Sequence, residues 1–286
     1  MTPHTLASPT ADGTVTLRDP GPGLVVLDPV RAALLHELDA HFTELAQQLA
    51  APAVVGPPLL PAEGLSRLDY FRNFPHLGVS AAGFPPESVD QLAEGQAVAD
   101  QPVRPTGYML PSATCYGLLL SLAGQEVGAE LRLTAVGRCF RNEDHYDGLR
   151  RLWGFHMREV LYTGNADGAR EHLAVSREFI ESLAGRLGVR LSYEPANDPF
   201  YDKSGSRARL MALDPVKYEF LASDGTAIAS VNRHRNFFGE RLGITAGGEV
   251  AHSSCTAFGV ERWVHAMILT HGSAEAALDR VRDVRA

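Results

Sequence analysis

The stretch that decides the fold is Leu133 to Leu161, LTAVGRCFRNEDHYDGLRRLWGFHMREVL. It opens with a short, mostly apolar run ending in Arg138-Cys139-Phe140-Arg141 and passes through a polar loop. It returns as Leu152-Trp153-Gly154-Phe155-His156-Met157-Arg158-Glu159-Val160-Leu161. Two such runs joined by a loop read as an antiparallel pair of strands. Side chains alternate along a strand, so Phe155, Met157 and Glu159 share one face. An aromatic ring, a thioether and a carboxylate in one row, opposite an arginine and Glu143, make a poor core and a good floor for a nucleotide. The plainer alternative is two ordinary strands with a charged turn.

Outward from this pair the chain alternates helices with further strands. Residues 1–22, rich in Thr, Pro, Gly and Asp without period, are expected to form a flexible leader, and residues 23–286 a single domain. A helix begins at Asp28-Pro29, with Asp28 as N-cap and Pro29 at the first helical position. Its apolar residues Leu34, Leu35, Leu38, Phe42, Leu45 and Leu49 fall on one face. The proline-broken run 53–61 reads as an edge strand. Residues 65–79 hold three aromatic rings and could cover a site, 82–102 read as surface, and 115–123 as a buried helix. An amphipathic helix spans 166–187 and ends at Gly188. Strands near 216–222 and 227–231 turn about Ser223-Asp224-Gly225 as a hairpin. A last strand, holding Cys255, runs into a helix over 259–269. This order implies an α+β fold, an antiparallel sheet flanked by helices.

Composition narrows the classes. The chain has 286 residues, 45% hydrophobic and 21% charged, which suits a soluble globular protein with a sizeable core. No apolar run approaches a membrane span and no signal peptide opens the chain, so a cytoplasmic protein without a membrane partner is expected. The formal net charge of −8 tilts against nucleic acid as the main partner. Three cysteines, Cys115, Cys139 and Cys255, odd in number and far apart, argue against a disulfide framework.

Two segments carry a family resemblance. Phe140-Arg141-Asn142-Glu143 resembles motif 2 of the class II aminoacyl-tRNA synthetases, and Ala257-Phe258-Gly259-Val260-Glu261-Arg262 resembles their motif 3. The resemblance covers roughly residues 50 to 270 and is closest to the seryl-tRNA synthetase branch. It implies the class II catalytic-domain fold. It also implies a homodimer, because a helix followed by a proline-bearing strand is how motif 1, the dimer element, is built. A helix packed on its own core is the alternative for that segment.

What the resemblance implies for chemistry is activation of an amino acid by ATP. Guanidinium forks suit phosphate oxygens. Arg141 would hold the α-phosphate and Arg262 the γ-phosphate. Glu143 would accept the adenine amino group, and Phe155 would stack on the ring with Arg262 on its other face. Glu219 is a candidate for Mg2+, or else an ordinary cross-strand ion pair. By spacing alone Cys115, Glu159 and Cys255 say nothing, and two isolated cysteines otherwise read as core. In the archaeal type of seryl-tRNA synthetase and in the amino acid:[carrier protein] ligases a Cys-Glu-Cys set binds catalytic zinc, and these three residues fall at matching places. Three protein ligands leave a fourth tetrahedral position open, which a substrate amine can fill. Asp198, Ser230 and Asn232 are expected to line the amino acid pocket, Asp198 being otherwise a turn residue. Cys139 reads as core, and His145, His156, His234 and His252 as solvated or packed.

The expected acceptor follows from what the sequence lacks. A synthetase of the seryl branch grips its tRNA with a long helical arm, which sustained heptads would reveal. One helix of about twenty residues stands where that arm would be, so no tRNA is expected. The chain resembles instead the amino acid:[carrier protein] ligases, which load a small amino acid (glycine or alanine favoured) onto the phosphopantetheine thiol of a carrier protein. The carrier would dock on the 166–187 helix. Two alternatives stay open: a truncated enzyme acting on tRNA or another acceptor, and a non-catalytic synthetase-like regulator.

Overall fold

The protein is described here from a computed structural model covering residues 17–202 and 215–285. The expected leader thus lies, for residues 1–16, outside the described residues. Asp28 caps the first helix: its carboxylate accepts the Arg31 amide at 2.8 Å, and Pro29 takes the first helical position. The helices are α1 Pro29–Gln48, α2 Ala62–Arg67, α3 Tyr70–Asn73, α4 Pro86–Ala93, α5 Thr114–Ser121, α6 Ala166–Leu187, α7 Phe237–Leu242, α8 Val260–His271 and α9 Ala274–Arg285. The strands are β1 Leu60–Pro61, β2 Val79–Gly83, β3 Arg104–Leu110, β4 Leu131–Phe140, β5 Gly154–Gly164, β6 Ser192–Pro195, β7 Lys217–Leu221, β8 Ala227–Arg235, β9 Thr245–Ala246, β10 Glu249–Val250 and β11 His252–Gly259.

Strands β4-β5-β11-β8-β7-β6, in that order, form a six-stranded antiparallel sheet. A small sheet β1-β3-β2 and the pair β9-β10 stand beside it. The apolar residues of one sheet face, among them Val160, Phe258, Val231 and Phe220, are buried in one cluster with α1, α6, α8 and α9. Phe42 of α1 stacks on Phe258 with ring centroids 4.3 Å apart and meets Trp263 at 5.4 Å. The segment that resembles motif 1 therefore puts its helix against the chain's own core. The opposite face carries α5 and α7 over Leu161, Ala135 and Cys255. Among the described residues no helix is long and apolar enough to cross a membrane.

Residues 65–79 are anchored by their rings. Tyr70 is buried against Tyr116 at 5.7 Å, and Phe74 stacks on Phe200 at 5.2 Å. The short elements α7, β9 and β10 were not foreseen. Each is too brief to show a period, and Gly243, Gly247 and Gly248 interrupt them with positive φ.

One buried polar pair ties the core layer together. Arg158 points from β5 into the core side, where Nε and Nη2 donate to the two carboxylate oxygens of Asp39, each at 2.7 Å. Its Nη1 donates to Thr134 Oγ1 at 3.2 Å. Breaking such a bidentate pair leaves a buried charge uncompensated. Asp39→Ala is therefore expected to lower the unfolding free energy by about 3 kcal/mol, read by urea denaturation. The double variant Asp39→Leu with Arg158→Met should recover most of that loss.

Candidate active site

The site is written in the register of the sheet. On the face away from the main core, Ala135 of β4 pairs with Glu159 of β5, Glu159 with Ala257 of β11, Ala257 with Ser230 of β8, and Ser230 with Glu219 of β7. One pleat along, Leu133, Leu161, Cys255, Asn232 and Lys217 form the next row. Because alternate residues share a face, Cys255 sits diagonally from Glu159 on the neighbouring strand. The alanines keep the row between them shallow.

Cys115 arrives from above. It lies in the first turn of α5, whose start is set by Thr114: the hydroxyl donates to the Met157 carbonyl at 2.8 Å. This close approach needs Gly137 in the adjacent strand, since a Cβ there would stand 2.9 Å from Thr114 Oγ1. Cys115 Sγ, a Glu159 carboxylate oxygen and Cys255 Sγ then lie within 4.8 Å of one another, and all three residues are buried. The geometry makes them a candidate metal site. Glu159 Oε2 is buried with no hydrogen-bond partner, which a cation would supply. Burial, with Cys255 next to it, pushes the Glu159 carboxyl well above the usual carboxylate range. The hydrogen bond with Cys115 holds the Cys255 thiol below its usual range, aided by His234 and Asn232, and the same contact with burial raises Cys115. Two thiols and a carboxylate, buried and mutually close, are a donor set that fits zinc.

The arginines gather at the motif 2 and motif 3 ends of the strands. Arg141 donates from Nε and Nη2 to the Ser112 carbonyl at 3.2 and 3.1 Å and lies over the Phe155 ring at 5.2 Å. Arg262 donates from Nε to the Arg150 carbonyl at 2.8 Å and from Nη1 to the Ala227 carbonyl at 3.0 Å. Burial and then the repulsion of Arg141 push its pKa down to about 10, so it stays charged in a field short of negative charge. Glu143, Phe155, Glu261 and Arg262 help to line a small hollow that opens to solvent. Arg141 and Glu219 are outside that lining. Glu143 accepts from Arg151 Nη1 at 2.7 Å, so its carboxylate is held towards the hollow by an ion pair.

The residues expected at the amino acid pocket are brought to the same face. Asn232 Nδ2 donates to Ser230 Oγ at 3.1 Å and approaches Cys255 Sγ at 3.6 Å. Asp198 and Glu219 are joined by a residue the sequence did not single out: Lys217 Nζ stands 3.2 Å from Asp198 and 3.0 Å from Glu219. Burial lowers the Lys217 pKa, but the two carboxylates outweigh it and hold the ammonium above the ordinary lysine value. Glu219 thus has an ion-pair partner two residues along its own strand as well as facing Ser230. His234 was also missed; its Nε2 is 3.4 Å from Cys255 Sγ. Cys139 is fully buried, as expected of a core residue, with its thiol pushed up to about 12 chiefly by burial.

No protein-family model matches the chain. It is 30% identical over 303 residues to amino acid–[acyl-carrier-protein] ligase 2 of Bradyrhizobium diazoefficiens, covering 92% of this chain and 86% of that protein. Its fold is similar to that of the M. kandleri seryl-tRNA synthetase in complex with A. aeolicus tRNASec, with a TM-score of 0.78 at 22% identity over 92% of this chain. It is also similar to the Pyrococcus horikoshii seryl-tRNA synthetase complexed with ATP, with a TM-score of 0.66 at 16% identity over 88% of this chain. The chain spans 57% and 54% of those two structures. The first of them corrects the expectation that tRNA has no part: the fold that covers 92% of this chain is that of a synthetase with tRNA bound.

Proposed function

We propose, from the premise that the chain belongs to the amino acid–[acyl-carrier-protein] ligase family, that it activates a small amino acid with ATP and passes it to the phosphopantetheine thiol of a carrier protein. The scaffold is that of a class II synthetase-like, adenylate-forming ligase. The observation that carries the finer reading is the Cys115–Glu159–Cys255 trio, closed to within 4.8 Å on the sheet face that also bears Ser230 and Asn232.

In this reading Cys115, Glu159 and Cys255 hold zinc. Bound there, the ion offers an open position to a neutral amine, which selects amino acids over acids that lack one. The rest falls to the chain's own side chains. Arg141 and Arg262 take the phosphates of ATP, fixed in plane by the carbonyls of Ser112, Arg150 and Ala227. Glu143 and Phe155 receive the adenine. Asp198, Ser230 and Asn232 line the pocket, with the Lys217 ammonium between Asp198 and Glu219. Glu219 keeps a second carboxylate oxygen beside the one that Lys217 meets at 3.0 Å, and that oxygen would serve Mg2+. The substrate's own carboxylate oxygen attacks the α-phosphorus and its bond to pyrophosphate breaks, giving aminoacyl-AMP. The carrier thiol then attacks the acyl carbon, forming the thioester and releasing AMP. No protein nucleophile is required; the chain contributes position and charge.

The test has two stages. ATP–pyrophosphate exchange is measured over a panel of amino acids, with glycine and alanine expected to lead. Labelled amino acid is then offered to a phosphopantetheinylated carrier and, separately, to bulk tRNA. Exchange without carrier loading, or loading of tRNA in its place, moves the assignment to the tRNA-directed alternative. No exchange with any amino acid leaves the regulator.

A further inference from the structure

The sheet breaks register beside the candidate metal site, and the break has a specific result. Cys255 pairs with Asn232 and Ser254 with Arg233, but Ser253 pairs with Arg235. His234 is the extra residue, a bulge in β8 facing β11. Bulges re-aim side chains and are over-represented beside active sites. Here the ring is turned so that Nε2 lies 3.4 Å from Cys255 Sγ. Its other nitrogen, Nδ1, lies 3.0 Å from Ser253 Oγ. A hydroxyl can donate to Nδ1, which leaves the hydrogen on Nε2 and makes it a donor to sulfur. Phe238 packs edge-on against the ring at 4.8 Å and 83°, which holds that orientation.

We infer that His234 is a positioning residue for the Cys-Glu-Cys site: fixed by Ser253 and Phe238, it donates Nε2–H to the Cys255 sulfur and so sets the direction and donor strength of that ligand. This rests on the reading of Cys115, Glu159 and Cys255 as zinc ligands. His234 is not a fourth ligand. The set whose donor atoms lie within 4.8 Å of one another contains the two cysteines and Glu159 and not His234. Its nitrogen meets the sulfur at N–H···S distance. Outer partners of this kind orient a ligand, tune its donor strength and govern affinity. Asn232 Nδ2, 3.6 Å from the same sulfur, adds a second and weaker donor. Both donors restrain the sulfur from outside the Cys-Glu-Cys set, without adding a ligand to it.

The experiment uses the full chain with Co2+ as a spectroscopic replacement for zinc. Metal affinity is read by chelator competition and ligand character by the sulfur-to-cobalt absorption. The wild type is expected to take up one Co2+ with a tetrahedral spectrum. His234→Ala should bind about 10–100-fold more weakly, with the charge-transfer band moved to longer wavelength because the sulfur loses its hydrogen bond. His234→Gln, which returns an N–H near the Nε2 position, should recover much of both. Circular dichroism of the metal-free proteins verifies that each variant is folded. Should the alanine variant not fold, Ser253→Ala serves in its place; by freeing the tautomer it should give a smaller shift in the same direction. Wild-type affinity and spectrum in a folded His234→Ala or Ser253→Ala, or a glutamine variant no better than alanine, overturns the inference and leaves the zinc reading standing. A wild type that binds no Co2+ overturns both.

Discussion

Replacing Arg262 by alanine is expected to lower amino-acid-dependent pyrophosphate exchange by about 10³-fold, the scale of losing one preorganised donor to a developing charge. The geometry gives the reason. Arg262 is half-buried near another arginine, its fork held in plane by the carbonyls of Arg150 and Ala227, and its pKa is pushed down to about 10 by desolvation and by Arg141. Without a bound anion that arrangement is unfavourable, because two cations share a field that Glu143 and Glu219 only partly offset. The residue is therefore held for a ligand's charge rather than for stability. Arg262→Ala should melt close to the wild type while its kcat/KM for ATP collapses. Arg262→Lys, keeping the charge without the fork, should fall between the two. Exchange within tenfold of wild type in the alanine variant would remove Arg262 from the phosphate site.

The second large effect is expected at Cys255. Cys255→Ala removes one of the two sulfurs of the trio, the one that faces Asn232 across the strand pair. Zinc affinity should fall by more than the 10²-fold typical of losing an outer partner, and exchange should fall with it. Elemental analysis of the purified chain, together with exchange before and after chelation and zinc return, measures both. Glu159→Gln separates binding from folding. The buried carboxylate has an oxygen without a partner and a pKa driven up by burial. The metal-free glutamine variant should therefore unfold at a higher temperature than metal-free wild type while binding zinc less well. An exchange activity indifferent to chelation and to Cys255→Ala would end the zinc assignment.

Local signals carried much of this. The Asp28-Pro29 cap, the 166–187 helix ending at Gly188 and the hairpin around Asp224 were legible because each is fixed by neighbours in sequence. Period two placed Phe155, Met157 and Glu159 on one face. What the chain could not disclose was strand order, since the neighbours of β11 are more than 15 residues away on one side and almost 90 on the other (a separation on the scale where pattern alone is silent). Cys115 meeting Cys255 was legible only through the family resemblance, because the contact depends on α5 settling over Gly137. Lys217 carries no signal in sequence, because its place between Asp198 and Glu219 depends on how the segments fold together. His234 was invisible for a different reason: a bulge breaks the alternation from which faces are inferred. The expectation that tRNA has no part rested on net charge and on heptads not found, neither of which describes the site; the fold similarity to a tRNA-bound synthetase corrects it.

The position of β11 bears on how the polypeptide is made. This strand sits between β5 and β8, yet it is synthesised after both. Until it leaves the ribosome, β5 and β8 each present an unpaired edge, the kind of surface that invites association between nascent chains. A message cut short before residue 252 would therefore yield a product whose principal sheet cannot close, prone to clump instead of remaining as a partly working enzyme.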